Sequence, residues 1–366
     1  MMTYLLGAFL LSMICGFVFT PAILDFCKRK GLYDIPNERK LHKSAIPRLG
    51  GVSFLPSMGI AFVVVILMMN PSISGKDSNI SLWSAYFCIS LTIIYFTGMI
   101  DDLIGLNAKI KFTTQIIAAS LMPMAGLCIN NLYGLFGIYE IPYWINAPLT
   151  VFVMVFIMNA INLIDGIDGL AASLSLMALG GFLIAFIREG LPVYCTLIAG
   201  LMGTLIPYLY YNLLGDSKKN RKIFMGDSGS LTLGFILSFL FVKFASYNPK
   251  VMEFHMDGLL IPYTLLIVPM LDVIRVILYR LRHHSPLFDA DKNHIHHKLM
   301  RTGLTQHQTL LFIIALSIGY ILTNLLLFKV IGLTYIVLID IIIYTLANIF
   351  INVMIQHQEK RVYPNE

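Results

Sequence analysis

Long apolar runs separated by short polar connections make up nearly the whole chain, and most runs have about the 20 residues a helix needs to cross a bilayer. The pattern predicts eleven spans. They are residues 3–26, 49–69, 82–100, a fourth ending near Ile129, 147–164, a sixth ending near Ile187, 191–212, 228–247, 259–279, 308–328 and 331–354. The expected fold is an all-α, polytopic helical membrane protein, a single integral-membrane domain over 1–366 with two closing spans and a tail at 355–366. The first run is too long for a signal-peptide core and meets no small-residue cleavage site before Lys28-Arg29-Lys30, so it reads as a retained helix. The connection 130–146 carries Tyr133, Phe136, Tyr139, Tyr143 and Trp144, residue types that suit a membrane–water interface.

Composition agrees. Of 366 residues 57% are hydrophobic and 13% charged, which excludes an ordinary soluble globular protein. The five cysteines are scattered without a CxxC spacing, so neither a disulfide framework nor a thiolate metal site is indicated. The net charge of +6 is better explained by topology than by nucleic acid. Outside the ninth span, one set of connections carries twenty Lys and Arg, and the other only Lys76, Arg188, Lys243, Lys250 and Lys329. The positive-inside rule puts the first set in the cytoplasm, the amino terminus outside and the carboxyl terminus inside. Asp101, Asp102, Asp165, Asp168, Asp227, Asp289 and Asp291 then share the cytoplasmic face with eight of the nine histidines, which predicts a composite site there.

The stretch Asn159 to Gly169 ends the fifth span in two carboxamides and two carboxylates, with Asn159, Asn162, Asp165 and Asp168 each three apart. On a helix that spacing keeps neighbouring pairs on one side, and such polar groups belong at a span end or in a wet cavity. Asp101-Asp102, where the third span emerges, repel each other unless a cation or proton intervenes, and suit metal binding or general-base work. In Phe224-Met225-Gly226-Asp227-Ser228-Gly229-Ser230, Asp227 or Ser228 could cap the eighth span, or Asp227 could be a magnesium ligand. His294-Ile295-His296-His297 could bind zinc or, with Lys292 and Lys298, a diphosphate. Lys43, Arg48, Lys109 and Lys111 lie beside the carboxylates, and Asp272 with Arg275 is either a structural pair or part of the site. Together these groups suggest a metal-assisted reaction between a phosphorylated nucleotide and a lipid.

Five segments, in order, carry a resemblance: Asn37-Glu38-Arg39-Lys40-Leu41-His42 with Pro47-Arg48-Leu49-Gly50-Gly51, Asp101-Asp102, Asn159 to Gly169, Phe224 to Ser230, and Asp291-Lys292-Asn293-His294-Ile295-His296-His297. The chain resembles the polyprenyl-phosphate N-acetylhexosamine-1-phosphate transferases, in their undecaprenyl-phosphate GlcNAc-1-phosphate branch. The resemblance implies transfer of a sugar 1-phosphate from a UDP-N-acetylhexosamine to undecaprenyl phosphate in the bacterial inner membrane, with Mg2+ (or Mn2+) as cofactor. It implies that Asp227 and Asp165 ligate the metal, with Asp101, Asp102, Asp165 and Asp227 catalytic. Lys111 matches a phosphate contact, Asn162 a nucleotide-site position and Phe224 a residue beside the uracil. His294, His296 and His297 match a diphosphate and sugar region, and Lys43, Arg48 and Asp168 complete the candidate substrate-binding set. Ile46 before Pro47, and Ile295 in place of a third consecutive histidine, argue against the muramoyl-pentapeptide branch. The loop from Asn212 to Phe224 is longer than the family's, so a binding role for Asn212 does not carry over. Direct attack by the lipid phosphate is favoured over an aspartyl intermediate, and a homodimer is left open. The alternatives are a proton- or cation-coupled transporter, with aspartates near a pathway, and a CDP-alcohol phosphotransferase, whose motif Asp165-Gly166 and Ala171 match only in part.

Overall fold

In a computed structural model, which describes residues 1–34, 45–73, 82–216, 221–249, 251–286 and 293–362, the apolar runs are helices. Helix α1 is Met2–Lys30, and strand β1 (Tyr33–Asp34) pairs antiparallel with β2 (Ile46–Pro47). A 3-10 turn, Gly50–Ser53, leads into α2 (Phe54–Ile73), followed by α3 (Leu82–Ile104) and α4 (Ala108–Met124). The hairpin β3 (Asn131–Leu135) and β4 (Ile138–Glu140) precedes α5 (Tyr143–Ile164), α6 (Leu170–Arg188), α7 (Pro192–Leu213) and α8 (Gly226–Ala245). The remaining helices are α9 (Leu260–Leu265), α10 (Ile267–Arg282), α11 (Ile295–Arg301), α12 (Gln306–Leu327) and α13 (Leu333–Val362).

Among the described residues nine helices are long and apolar enough to cross a membrane. The other two predicted spans take different forms. The fourth is the 17-residue α4, started by the Asn107 side chain, which accepts the Lys109 N–H, with Pro123 in its last turn. The ninth, expected as one run over 259–279, breaks at Leu266 into α9 and α10. Pro269 supplies the reason. It has no N–H for the Leu265 carbonyl four residues back, and its ring crowds that carbonyl. A helix restarting at Ile267 puts Pro269 in a first turn, where the missing N–H is harmless.

The aromatic connection 130–146 folds as the β3–β4 hairpin rather than as a plain loop. Tyr133 is buried and its hydroxyl donates to the Ala245 carbonyl, while Phe136, Tyr139, Tyr143 and Trp144 stay exposed.

Helix α8 is the axis of the bundle, with every residue from Ser228 to Ala245 buried. Small and hydroxylic residues let α3 and α5 pack against it, and the hydroxyls of Ser230, Thr232 and Ser238 donate to its own backbone, as in Thr232 Oγ1 to the Ser228 carbonyl at 2.6 Å. Phe87 of α3 packs on Phe235 and Phe239 at centroid distances of 5.7 and 4.2 Å. Helices α1, α2 and α7 pack together along one side, and α12 and α13 close the bundle with mostly exposed apolar faces.

Candidate active site

Four helix ends meet at the start of α8: the last turn of α3, the first of α4, the last of α5 and the first of α8 itself. Lys111, in the first turn of α4, donates to Asp227 Oδ2 at 2.6 Å and to Asp101 Oδ2 at 3.1 Å, so one ammonium is shared by two carboxylates. Asp227 Oδ1 accepts from Asn162 Nδ2 at 2.8 Å, and the same amide reaches Ser230 Oγ at 2.8 Å. The other oxygen of Asp101 accepts the Leu106 N–H at 2.6 Å.

Asp102 behaves differently from its neighbour. Only 5% exposed, it accepts the N–H groups of Asp227 and Ser228, both at 2.9 Å, on its two carboxylate oxygens. These amides belong to the first turn of α8 and have no partner within their own helix. Asp102 therefore caps α8 from another helix, which frees the Asp227 carboxylate for Lys111 and Asn162. Gly226 makes this approach feasible: its φ is +70°, and a Cβ there would lie 2.5 Å from Asp102 Oδ2 and overlap the Arg48 carbonyl.

The turn around Arg48 is held to the same place. Phe224 N–H donates to the Pro47 carbonyl at 2.8 Å, and Gly50 and Gly51 return N–H bonds to the carbonyls of Phe224 and Met225 at 2.9 and 2.8 Å. Arg48 and Phe224 are both half-buried beside the carboxylates.

Helix α5 stops at Ile164, so the three-residue spacing of polar groups does not continue as one helical stripe. Asn159 turns to Gln115 Oε1 at 2.6 Å, whereas Asn162 faces Asp227. Asp165 is the residue after the helix. Burial, then the negative charges of Asp227, Asp168 and Asp102, push its carboxyl up to about 7. Asp168 is paired with Lys222 at 2.5 Å. Asn212 has a structural part, accepting the Gly169 N–H at 2.6 Å and donating to the Ile223 carbonyl at 2.8 Å.

The histidine segment docks on this turn. His294 Nδ1 lies 2.8 Å from Asp272 Oδ2, and the Ile295 N–H donates to Asp272 Oδ1 at 3.0 Å. Asp272 and Arg275 do pair, at 2.8 Å, and Arg275 also donates to the Asn293 carbonyl, so the pair anchors the segment. His296 is fully buried with its ring against Gly166, where any Cβ would overlap its Nε2, and neither ring nitrogen has a partner among the described residues. Burial, then the neighbouring His297 and His294, push it down to about 3, so the ring is neutral. His297 is half-buried, its ring centroid 4.1 Å from that of His296. Lys43, the 37–42 motif, Asp289, Asp291 and Lys292 lie outside the described residues.

The structure thus brings together Asp101, Asp102, Lys111, Asn162 and Asp227, with Arg48, Phe224, Asp165 and Asp168 around them and His296 behind the Asp165–Asp168 turn. His294 points into its own anchor at Asp272. Lys222 and Gln115 were not singled out from sequence. Gln115 could have been, because it stands four residues after Lys111 and so on the same helix face. Among the described residues no three His, Cys, Asp or Glu form a ready metal cage. The donors nearest Lys111 are all hard carboxylate oxygens, and the ammonium stands between two of them as a divalent cation would. Such a cluster can hold a cation and, through it and Lys111, phosphate oxygens.

Residues 84–245 match the model of glycosyl transferase family 4, a stretch that contains every one of these carboxylates. The chain is 31% identical over 314 residues to the Bacillus subtilis (strain 168) "Probable undecaprenyl-phosphate N-acetylglucosaminyl 1-phosphate transferase", covering 84% of this chain and 80% of that protein. It is 31% identical over 317 residues to the undecaprenyl-phosphate alpha-N-acetylglucosaminyl 1-phosphate transferase of Yersinia pestis, covering 86% of this chain and 80% of the relative. The protein of that name in Escherichia coli (strain K12) is 30% identical over 314 residues, 82% of this chain and 79% of the relative.

Proposed function

The chain belongs to glycosyl transferase family 4, and from that premise we propose that it transfers a sugar 1-phosphate, GlcNAc 1-phosphate first among candidates, from a UDP-sugar to undecaprenyl phosphate. The product starts a lipid-linked glycan of the cell envelope. The observation that supports this most is the Asp101–Lys111–Asp227 cluster at one end of an apolar bundle. Around it Ile100, Leu103, Ile104, Ile110 and Phe112 are exposed apolar side chains, a surface a polyprenyl chain can approach from the bilayer.

In the reaction an oxygen of the lipid phosphate forms a bond to the sugar-bearing phosphorus of the donor. The bond from that phosphorus to the bridging oxygen breaks, and UMP leaves with that oxygen. A phosphate monoester, with a second pKa of about 6, is largely ionised near neutral pH and needs no protein base to become the nucleophile. The protein's work is then positioning and charge neutralisation. Lys111 turns from its carboxylates to phosphate oxygens, Asn162 orients the Asp227 carboxylate, and Asp102 fixes α8 beneath it. Magnesium held by Asp227 and Asp165 would neutralise the diphosphate and the charge developing on UMP. Magnesium usually takes one or two carboxylates and fills its shell with water and substrate phosphates, which fits carboxylates that form no closed cage among the described residues. Phe224 and Arg48 are the proposed nucleotide-side contacts, and the face carrying the site is the cytoplasmic one.

Detergent-purified protein given UDP-GlcNAc, undecaprenyl phosphate and magnesium is expected to release UMP, and to stop when either the lipid or the metal is withheld. No UMP from any of a panel of UDP-sugars would overturn the assignment. Release from a different UDP-sugar alone would keep the reaction and change the donor.

A further inference from the structure

Helix α13 lies beyond the stretch shared with the family model, yet one of its faces is polar well into the membrane. Asp340, Tyr344 and Asn348 recur every four residues, which stacks them in one stripe, and they are only 1%, 4% and 6% exposed. Each holds a different element. Asp340 Oδ2 accepts from the Tyr263 hydroxyl of α9 at 3.1 Å and from Asn324 Nδ2 of α12 at 2.9 Å. The Tyr344 hydroxyl donates to Asp272 Oδ1 of α10 at 3.2 Å. Asn348 Oδ1 accepts from Lys298 Nζ of α11 at 3.0 Å.

Polar side chains inside a span are unfavourable unless something there needs them. Here α13 fastens both halves of the broken span, through Tyr263 on one side of Leu266 and Asp272 on the other. It also reaches the histidine segment at two points. Asp272 receives His294 and the Ile295 N–H, and Lys298 stands one turn farther along α11. The segment seats His296 on Gly166, inside the turn that carries Asp165 and Asp168. The contacts form one continuous line, from α13 through Asp272 and Lys298 to the histidines and on to that turn.

We propose that Tyr344 and Asn348 are positioning residues for the transfer, with α13 the strut that sets the histidine segment against the Asp165–Asp168 turn where the donor's diphosphate lies. The inference rests on the transferase reading. Neither side chain touches the reacting atoms; each acts through Asp272 or Lys298.

The test compares Tyr344→Phe, which keeps the ring and removes only the hydroxyl, with Asn348→Leu. Each is expected to raise the KM for the UDP-sugar about 3- to 10-fold, the range one lost hydrogen bond spans, with the KM for the lipid phosphate unchanged. A strut that served only the bundle would lower the melting temperature and the active fraction and leave the donor KM where it was. That result, or unchanged kinetics, overturns the proposal. A second readout needs no turnover: amide hydrogen exchange at Ile295 in substrate-free protein is expected to quicken in Tyr344→Phe. Unchanged exchange there counts against the strut, whereas wild-type protein silent toward every UDP-sugar counts against the transferase reading.

Discussion

A carboxylate in the last turn of a helix faces the negative end of the helix dipole, and Asp101 and Asp102 both stand there. They escape by different routes. Asp102 turns to the amides that open α8, and Asp101 shares the Lys111 ammonium with Asp227. In the sequence they are two adjacent aspartates of one kind, and only the amides that Asp102 meets, from 125 and 126 residues away, separate a cap from a charge cluster. Asp165 has no such relief, which makes it pH-sensitive. Its carboxyl rises from 3.8 to about 7 on folding, so between those values the folded protein holds a proton the unfolded chain has lost. Its contribution to stability is full below about pH 4 and is lost as pH rises through about 7. Melting curves from pH 5 to 8 are expected to show a fall that is smaller in Asp165→Asn. If Asp165 is a metal ligand, magnesium restores stability at pH 8 in the wild type more than in the variant.

At the level of elements, continuous hydropathy made the spans legible, because burial in lipid demands the same apolar length of each. Hydropathy says nothing about backbone continuity, which is why the break at Leu266 escaped it; the mark was Pro269, three residues on. The hairpin over Asn131–Glu140, the short α11 and the pairing of 224–225 with 47–51 were hidden for a related reason. The hairpin and α11 are too short for a periodicity to announce, and the last pairing is made of backbone bonds between segments far apart in the chain. The start of α8 shows how tightly such proximity can constrain one residue. Gly226→Ala is expected to lose about 1–2 kcal/mol from its left-handed backbone alone. Activity should fall further than stability, because the new methyl pushes against Asp102 and Arg48. Gly59→Ala, in the interior of α2 with nothing within 4 Å of its would-be Cβ, is the control expected to leave activity unchanged and to raise stability by about 0.5–1 kcal/mol, as a helix-interior alanine does. Thermal melts and UMP release on both variants check this.

For the whole molecule, we propose from the distribution of Lys and Arg that the carboxylate end of the bundle faces the cytoplasm and the β3–β4 hairpin the outside. A cysteine-free variant carrying Tyr139→Cys should react in intact cells with a membrane-impermeant maleimide, and one carrying His283→Cys only after permeabilisation; the reverse pattern would invert the topology. Both positions are exposed. The arrangement around α8 has a mechanical side as well. The helix that carries Asp227 is sheathed in protein from Ser228 to Ala245, while α12 and α13 turn broad apolar faces outward. Bilayer thinning, stiffening or curvature must load the outer helices first and reaches Asp227 through the elements packed on it, α3 and α5 foremost. The enzyme carries its reference point on an inner mast, and the membrane's tensions are taken up by the rigging.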